Sequence, residues 1–189
     1  MATSPHSIVA FVGMSGVGKS EAVRLFASLG DFEQIYFGGL VLEEVKRRGL
    51  PVGEETEGAV SRELREAHGM AAMAVLSTPK IDAAREASRA VLIDGLYSYS
   101  ELTHLKGRYG DALALVAVHA RKALRVARLG ARPVRPLTPA EVDERDRREI
   151  ETIEKGGPIA IADYHIVNDA GLAELETAIR DIHAAITHR

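Results

Sequence analysis

Residues Gly13-Met14-Ser15-Gly16-Val17-Gly18-Lys19-Ser20 have the spacing G-x-x-x-x-G-K-S, which suits them to hold a polyphosphate. Glycines in such a run let successive backbone N–H groups curl into an anion-binding nest. A helix starting behind the nest adds the partial positive charge of its N-terminus. Lys19 is expected to reach the β- and γ-phosphates of a triphosphate, and the Ser20 hydroxyl to ligate Mg²⁺. The flanks fit this reading. The apolar run Ile8–Val12 comes before the loop, and a helical pattern over Glu21–Leu29 follows it.

A second chemical element is Ala90-Val91-Leu92-Ile93-Asp94-Gly95. Four apolar residues ending in an aspartate read as a buried strand that delivers one carboxylate to a ligand edge. Asp94 is therefore expected to hold Mg²⁺ or its waters, or to accept a proton from an acceptor hydroxyl. Gly95 stands where hydrolysing motors usually place a water-activating glutamate, and no Asn-Lys-x-Asp sequence for guanine selection is present. The third element is basic. From Arg121 to Ala140 there are six basic residues and no Asp or Glu. Arg128 and Arg132 lie at i and i+4 and share a helix face. Arg145 and Arg148 follow on a later helix, where Asp146 and Glu149 could serve to orient them. Arginine forks match phosphate oxygens and stabilise charge on a group in transfer. His119 reads as a plain strand-end histidine, and no His pair has metal-ligand spacing.

Five apolar runs carry these residues: Ile8–Val12, Gln34–Phe37, Ala90–Ile93, Leu113–Val118 and Tyr164–Val167. Helical patterns between them predict a three-layer α/β domain with a mostly parallel five-stranded sheet. The whole chain, 1–189, fits one domain. Helical segments over Leu40–Arg48, Glu54–His68 and Gly69–Ser77 form an insertion of about residues 38–80 suited to an acceptor. Pro133, Pro136 and Pro139 stop a helix, and Glu141–Lys155 starts another, so residues of about 128–148 read as a lid on two helical arms. The last helix begins near Leu172, with Asp169 as its cap.

Composition bounds the function. The chain has 189 residues, 46% of them hydrophobic, a net charge of −3 and no cysteine. Disulfides and zinc–thiolate sites are excluded, and a reducing cytoplasm is the expected location. The opening Met-Ala-Thr-Ser-Pro-His lacks a basic leader, and no run reaches the length of a membrane span. The negative net charge and low aromatic content argue against nucleic acid as a partner.

Taken together, the Gly13–Ser20 loop, Ile93-Asp94-Gly95, Arg128-Leu-x-x-Arg132, Arg145-Asp-x-Arg148-Glu149 and Ala162-Asp163-Tyr164-His165-Ile166-Val167-Asn168 resemble the P-loop nucleotide-kinase superfamily. They are most similar to a largely archaeal branch related to adenylate kinase and dephospho-CoA kinase. The resemblance implies a P-loop NTPase fold with ATP on the loop, Mg²⁺, and a small-molecule phosphate acceptor. It implies that Asn168 touches the nucleotide base. It also places Gly38, Leu40 and Arg65 on the acceptor side, although Arg65 reads equally well as solvated and paired with Glu55, Glu63 or Glu66. One departure stands out: Leu96-Tyr97-Ser98 occupies the place where many adenylate kinases carry Phe-Pro-Arg. The expected function is an ATP-dependent kinase for a nucleotide-like molecule. The alternative is a nucleotide-dependent switch or weak ATPase that signals to a protein partner.

Overall fold

The computed structural model describes residues 7–187. The opening six residues, on which the reading of a missing leader rests, lie outside the described residues. Five strands form one sheet: β1 (Ile8–Val12), β2 (Phe32–Tyr36), β3 (Ala90–Asp94), β4 (Leu113–His119) and β5 (Tyr164–Val167). Their order is β2-β3-β1-β4-β5, and every pairing is parallel. Parallel strands need covered crossovers, so both sheet faces are packed by helices. All five residues of β1 are buried, as its continuous apolar sequence requires of the central strand.

The two faces divide the core. Ile8, Ala10 and Val12 point to one side, where they meet residues of α2 (Phe37–Arg47), α4 (Ala72–Glu86) and α5 (Tyr99–Tyr109). Val9 and Phe11 point to the other, against α1 (Lys19–Ala27) and α9 (Leu172–Thr187). There the Phe11 and Phe26 rings meet edge-on, with centroids 5.4 Å apart, a favoured aromatic geometry.

Strand order reverses at β1, so ligands are expected at its carboxyl end. The Gly13–Ser20 loop, Asp94 and His119 all reach that edge. Between β2 and β3 lie α2, α3 (Glu54–His68) and α4. Between β4 and β5 lie α6 (Lys122–Gly130), α7 (Pro139–Glu151) and the short α8 (Gly156–Ala160).

Four details differ from the sequence reading. β2 starts at Phe32 and ends at Tyr36, because Phe37 already opens α2. The third helix of the insertion starts at Ala72 and runs through Pro79 to Glu86 rather than ending at Ser77. Pro139 does not stop a helix; it occupies the first turn of α7 behind the Thr138–Glu141 capping box, where a missing N–H is harmless. Asp169 accepts the Arg121 N–H at 2.7 Å, and the Gly171 N–H goes to Glu174 at 3.0 Å. Among the described residues, no helix is long and apolar enough to cross a membrane.

Candidate active site at the carboxyl edge of the sheet

The loop leaves β1 at Gly13. A Cβ there would lie 2.6 Å from the Val118 carbonyl oxygen, so glycine permits the chain to pass against β4. Gly16 and Gly18 have φ of 84° and 89°, in the left-handed region that other residues adopt at a cost. Gly18 is the N-cap of α1, which places Lys19 and Ser20 in its first turn. That helix starts two residues earlier than its apolar pattern.

The loop's carbonyls are tied down from behind. Asn168 Nδ2 donates to the Val17 oxygen at 2.8 Å, and Arg128 Nη1 donates to the same oxygen at 3.3 Å. Arg128 Nη2 donates to the Asn168 carbonyl at 3.1 Å. Arg125 Nη1 donates to the Ser15 carbonyl at 3.0 Å, while Asp146 grips the same guanidinium through both of its oxygens. Asn168 is thus buried behind the loop, its amide occupied by Val17.

In front of the loop, Lys19 pairs with Asp94, and both side chains are largely shielded. Glu149 is the residue that sequence reasoning underrated. Its Oε2 accepts the Ser15 N–H at 3.2 Å, and its Oε1 accepts the Ser15 hydroxyl at 2.6 Å. Lys155 Nζ lies 3.0 Å from Glu149 Oε2, with both side chains 5% exposed, and Arg145 Nε lies 3.4 Å from Oε1. Burial alone would raise the Glu149 pKa. The Lys155 ammonium, the Ser15 hydroxyl and Arg145 outweigh it and hold the carboxyl below its ordinary value. Burial pushes the Lys155 pKa down against the pull of Glu149, and Lys19 and Arg145 add like-charge repulsion. The Lys155 ammonium also sits 5.1 Å from the centre of the Tyr97 ring, within cation–π reach.

Two adjoining cavities open here. The inner one has about 370 Å³ of room and is bounded by Gly13–Gly16, Gly18–Ser20, Arg128, Glu149 and Lys155. Val17 turns its side chain into the core instead. The outer one has about 440 Å³ and is bounded by α2, α3, α7 and the α6–α7 connection. Tyr36, Tyr97, Arg132 and Arg145 line both and form the neck between them. Burial, with the like charge of Arg145, lowers the pKa of Arg132. Gly38, Arg65 and Arg148 line the outer cavity, whereas Leu40 packs against the core. Among the described residues Arg65 forms no ion pair with Glu55, Glu63 or Glu66, and the carboxylate its charge acts on is Glu101. Arg65 Nη1 donates to the Ser61 hydroxyl, its buried Nε has no partner, and Glu63 pairs with Arg48. His119 stacks on His165, with ring nitrogens 3.0 Å apart. Among the described residues, no group of three or more His, Cys, Asp or Glu is placed to hold a metal ion.

Beneath the neck, Glu101 begins α5 in a capping box with Ser98. Its Oε2 accepts the Tyr97 and Ser98 N–H groups at 2.7 and 3.1 Å, while Oε1 is buried without a partner. Burial raises its pKa to about 7, against the opposing pull of those two amides, Arg65 and Lys155. An acid with a raised folded pKa stabilises fully below its unfolded value of 4.5 and loses that contribution as pH rises through about 7. Glu101→Gln is therefore expected to flatten the fall in melting temperature between pH 4.5 and 7. Its gain over the parent should be largest at pH 8. Parallel pH–melting curves for the two proteins would refute this.

No family model matches the chain. It is 36% identical over 177 residues to the UPF0200 protein TK1334 of Thermococcus kodakarensis, covering 93% of this chain and 95% of that one. Solved structures share the fold at low identity. A dephospho-CoA kinase from Campylobacter jejuni superposes with a TM-score of 0.61 at 15% identity, covering 97% of this chain and 98% of that one. A gluconokinase from Sinorhizobium meliloti gives 0.59 at 19%, covering 98% and 95%. The five-stranded parallel sheet with helices on both faces is the P-loop kinase fold.

Proposed function

The chain belongs to the UPF0200 family and has the fold of small-molecule P-loop kinases, and from that premise we propose that it is an ATP- and Mg²⁺-dependent phosphotransferase acting on a nucleotide-like small molecule. One observation carries the reading: the cavity at the phosphate loop and an arginine-lined cavity share four lining residues, two of them arginines. Phosphoryl transfer needs positioning and charge neutralisation more than covalent help.

In this reading the amides of Gly13–Ser20 hold the polyphosphate, and Lys19 leaves Asp94 to meet the β- and γ-phosphates. Arg132 and Arg145, at the neck, face the phosphoryl group as it passes to the acceptor. Arg128 acts from behind by fixing the Val17 carbonyl. Residues 38–80 carry the acceptor, and residues 128–148 close over it as a lid that excludes water. The Ser20 hydroxyl and the Asp94 carboxylate are hard oxygen donors next to Lys19, a set that suits Mg²⁺. The ion, when bound with the nucleotide, supplies further neutralisation of the phosphate oxygens.

The test is to incubate the protein with Mg²⁺-ATP and a panel of nucleosides, nucleoside monophosphates and dephospho-CoA, with mass spectrometry of the products. A phosphorylated product that requires the protein supports the kinase. Slow hydrolysis unchanged by every acceptor, with nucleotide-dependent capture of a protein partner, would replace it with the switch.

A further inference from the structure

We propose that Glu149 is a resident anion of the phosphate loop, that the terminal phosphate of a triphosphate displaces it, and that Lys155 then passes from the carboxylate to that phosphate; this rests on the nucleotide site of the kinase reading and adds a second lysine to it. The loop is partly filled already. The Ser15 N–H and hydroxyl both donate to Glu149, at 3.2 and 2.6 Å. A carboxylate on a main-chain amide of an anion-binding loop takes a donor that a phosphate would use. Its pKa is held below the ordinary value, so the resident is charged. Glu149 also lines the inner cavity with a side chain only 5% exposed. Two anions in one shielded site repel strongly, so an arriving phosphate and this carboxylate exclude each other there.

The place of the contact decides which phosphate competes. Lys19 and Ser20 stand in the first turn of α1, at one end of the loop. Ser15 lies nearer the other end, and its partner Glu149 reaches Arg145, which lines both cavities. A group in transfer must face the outer cavity, so the terminal phosphate meets Glu149 and the inner phosphates do not. Ser15 cannot follow the carboxylate, because Arg125 donates to its carbonyl at 3.0 Å. The Glu149 main chain is held as well, since the Lys155 N–H donates to its carbonyl at 3.0 Å. The exchange therefore falls on side-chain torsions. Lys155 Nζ, now 3.0 Å from Glu149 Oε2, lines the same cavity. A buried ammonium that loses a carboxylate needs another anion, and the phosphate supplies it. The freed carboxylate keeps Arg145, one turn back on α7, within reach.

The experiment is calorimetric titration of the full chain and its variants with Mg²⁺ and either a non-hydrolysable ATP analogue or ADP. Glu149→Gln is expected to bind the ATP analogue ~10-fold more tightly than the parent and ADP within about twofold of it. Lys155→Met is expected to bind the analogue ~10-fold more weakly. Opposite signs from the two members of one ion pair are the decisive readout, because simple loss of stability would weaken binding in both. Should Glu149→Gln not fold, Glu149→Asp draws the carboxylate back from Ser15 while leaving Lys155 a counter-charge, and should also tighten the analogue. No gain on substituting Glu149, an equal gain for ADP, or unchanged binding by Lys155→Met would overturn the proposal and leave the kinase reading standing. If neither nucleotide binds the parent or any variant, the kinase reading falls and this proposal with it.

Discussion

On the proposed kinase mechanism, Lys19→Ala is expected to lower the rate of phosphoryl transfer by at least about a hundredfold while weakening nucleotide binding far less. Lys19 is the cation at the head of α1 and lines the inner cavity beside Ser20. Its present partner is Asp94, so a ligand phosphate exchanges one anion for another rather than meeting a naked ammonium. The gain is greatest when charge spreads over the equatorial oxygens of the transferring group. Loss should therefore fall on kcat. The substitution also leaves the Asp94 carboxylate without its counter-charge, so Lys19→Met, which keeps the stem, serves as a second variant. Single-turnover rates and separately measured nucleotide Kd values check the claim. A rate within about threefold of the parent would remove Lys19 from the mechanism.

The second large effect concerns stability. Removing either member of the Glu149–Lys155 pair is expected to destabilise the protein by about 3 kcal/mol, because the survivor stays buried with its nearest opposite charge gone, Glu149 keeping only Ser15 and Arg145 and Lys155 only the Tyr97 ring. At this chain length that corresponds to a fall in melting temperature on the order of 10 °C. Both side chains are 5% exposed, so water offers little relief. Glu149→Ala also strips Ser15 of its acceptor. The double replacement Glu149→Leu/Lys155→Met is expected to recover a large part of the loss, since two apolar residues need no partner. The lowered pKa of Glu149 sets the sign with pH. Its contribution is complete above the ordinary carboxylate range and is lost as pH falls through the folded value. Calorimetric scans of the four proteins would reject the account if single and double variants melted alike.

Much of the fold was legible because buried parallel strands leave an unbroken apolar trace. Ile8–Val12 and Tyr164–Val167 appear in the structure with the bounds their sequences suggest. β2 blurred because it is an edge strand, half exposed, and its last residue abuts a helix with no break between them. α4 continues through Pro79, where packing overrides a residue that normally interrupts helices. The loop was legible as a contiguous motif. Its supports were not, because they come from residues far away in the chain. Glu149 meets Ser15 across 134 positions, and Asn168 meets Val17 across 151. A glutamate amid arginines on a polar helix reads as a solvated ion-pair partner, and nothing local reveals that α7 turns it inward. Lys155, alone before two glycines, gave no signal at all.

The bonds to the Ser15 and Val17 carbonyls have a thermodynamic consequence. Arg125, Arg128 and Asn168 hold those oxygens to the body of the protein, so the entropy of ordering the loop is spent during folding rather than on ligand capture. A preorganised mould of this kind gains affinity by avoiding that loss. It also adapts little, so different polyphosphates should meet the same rigid amides. Discrimination between ligands then falls to the surfaces across the cavity, and changes behind the loop should weaken all nucleotides alike.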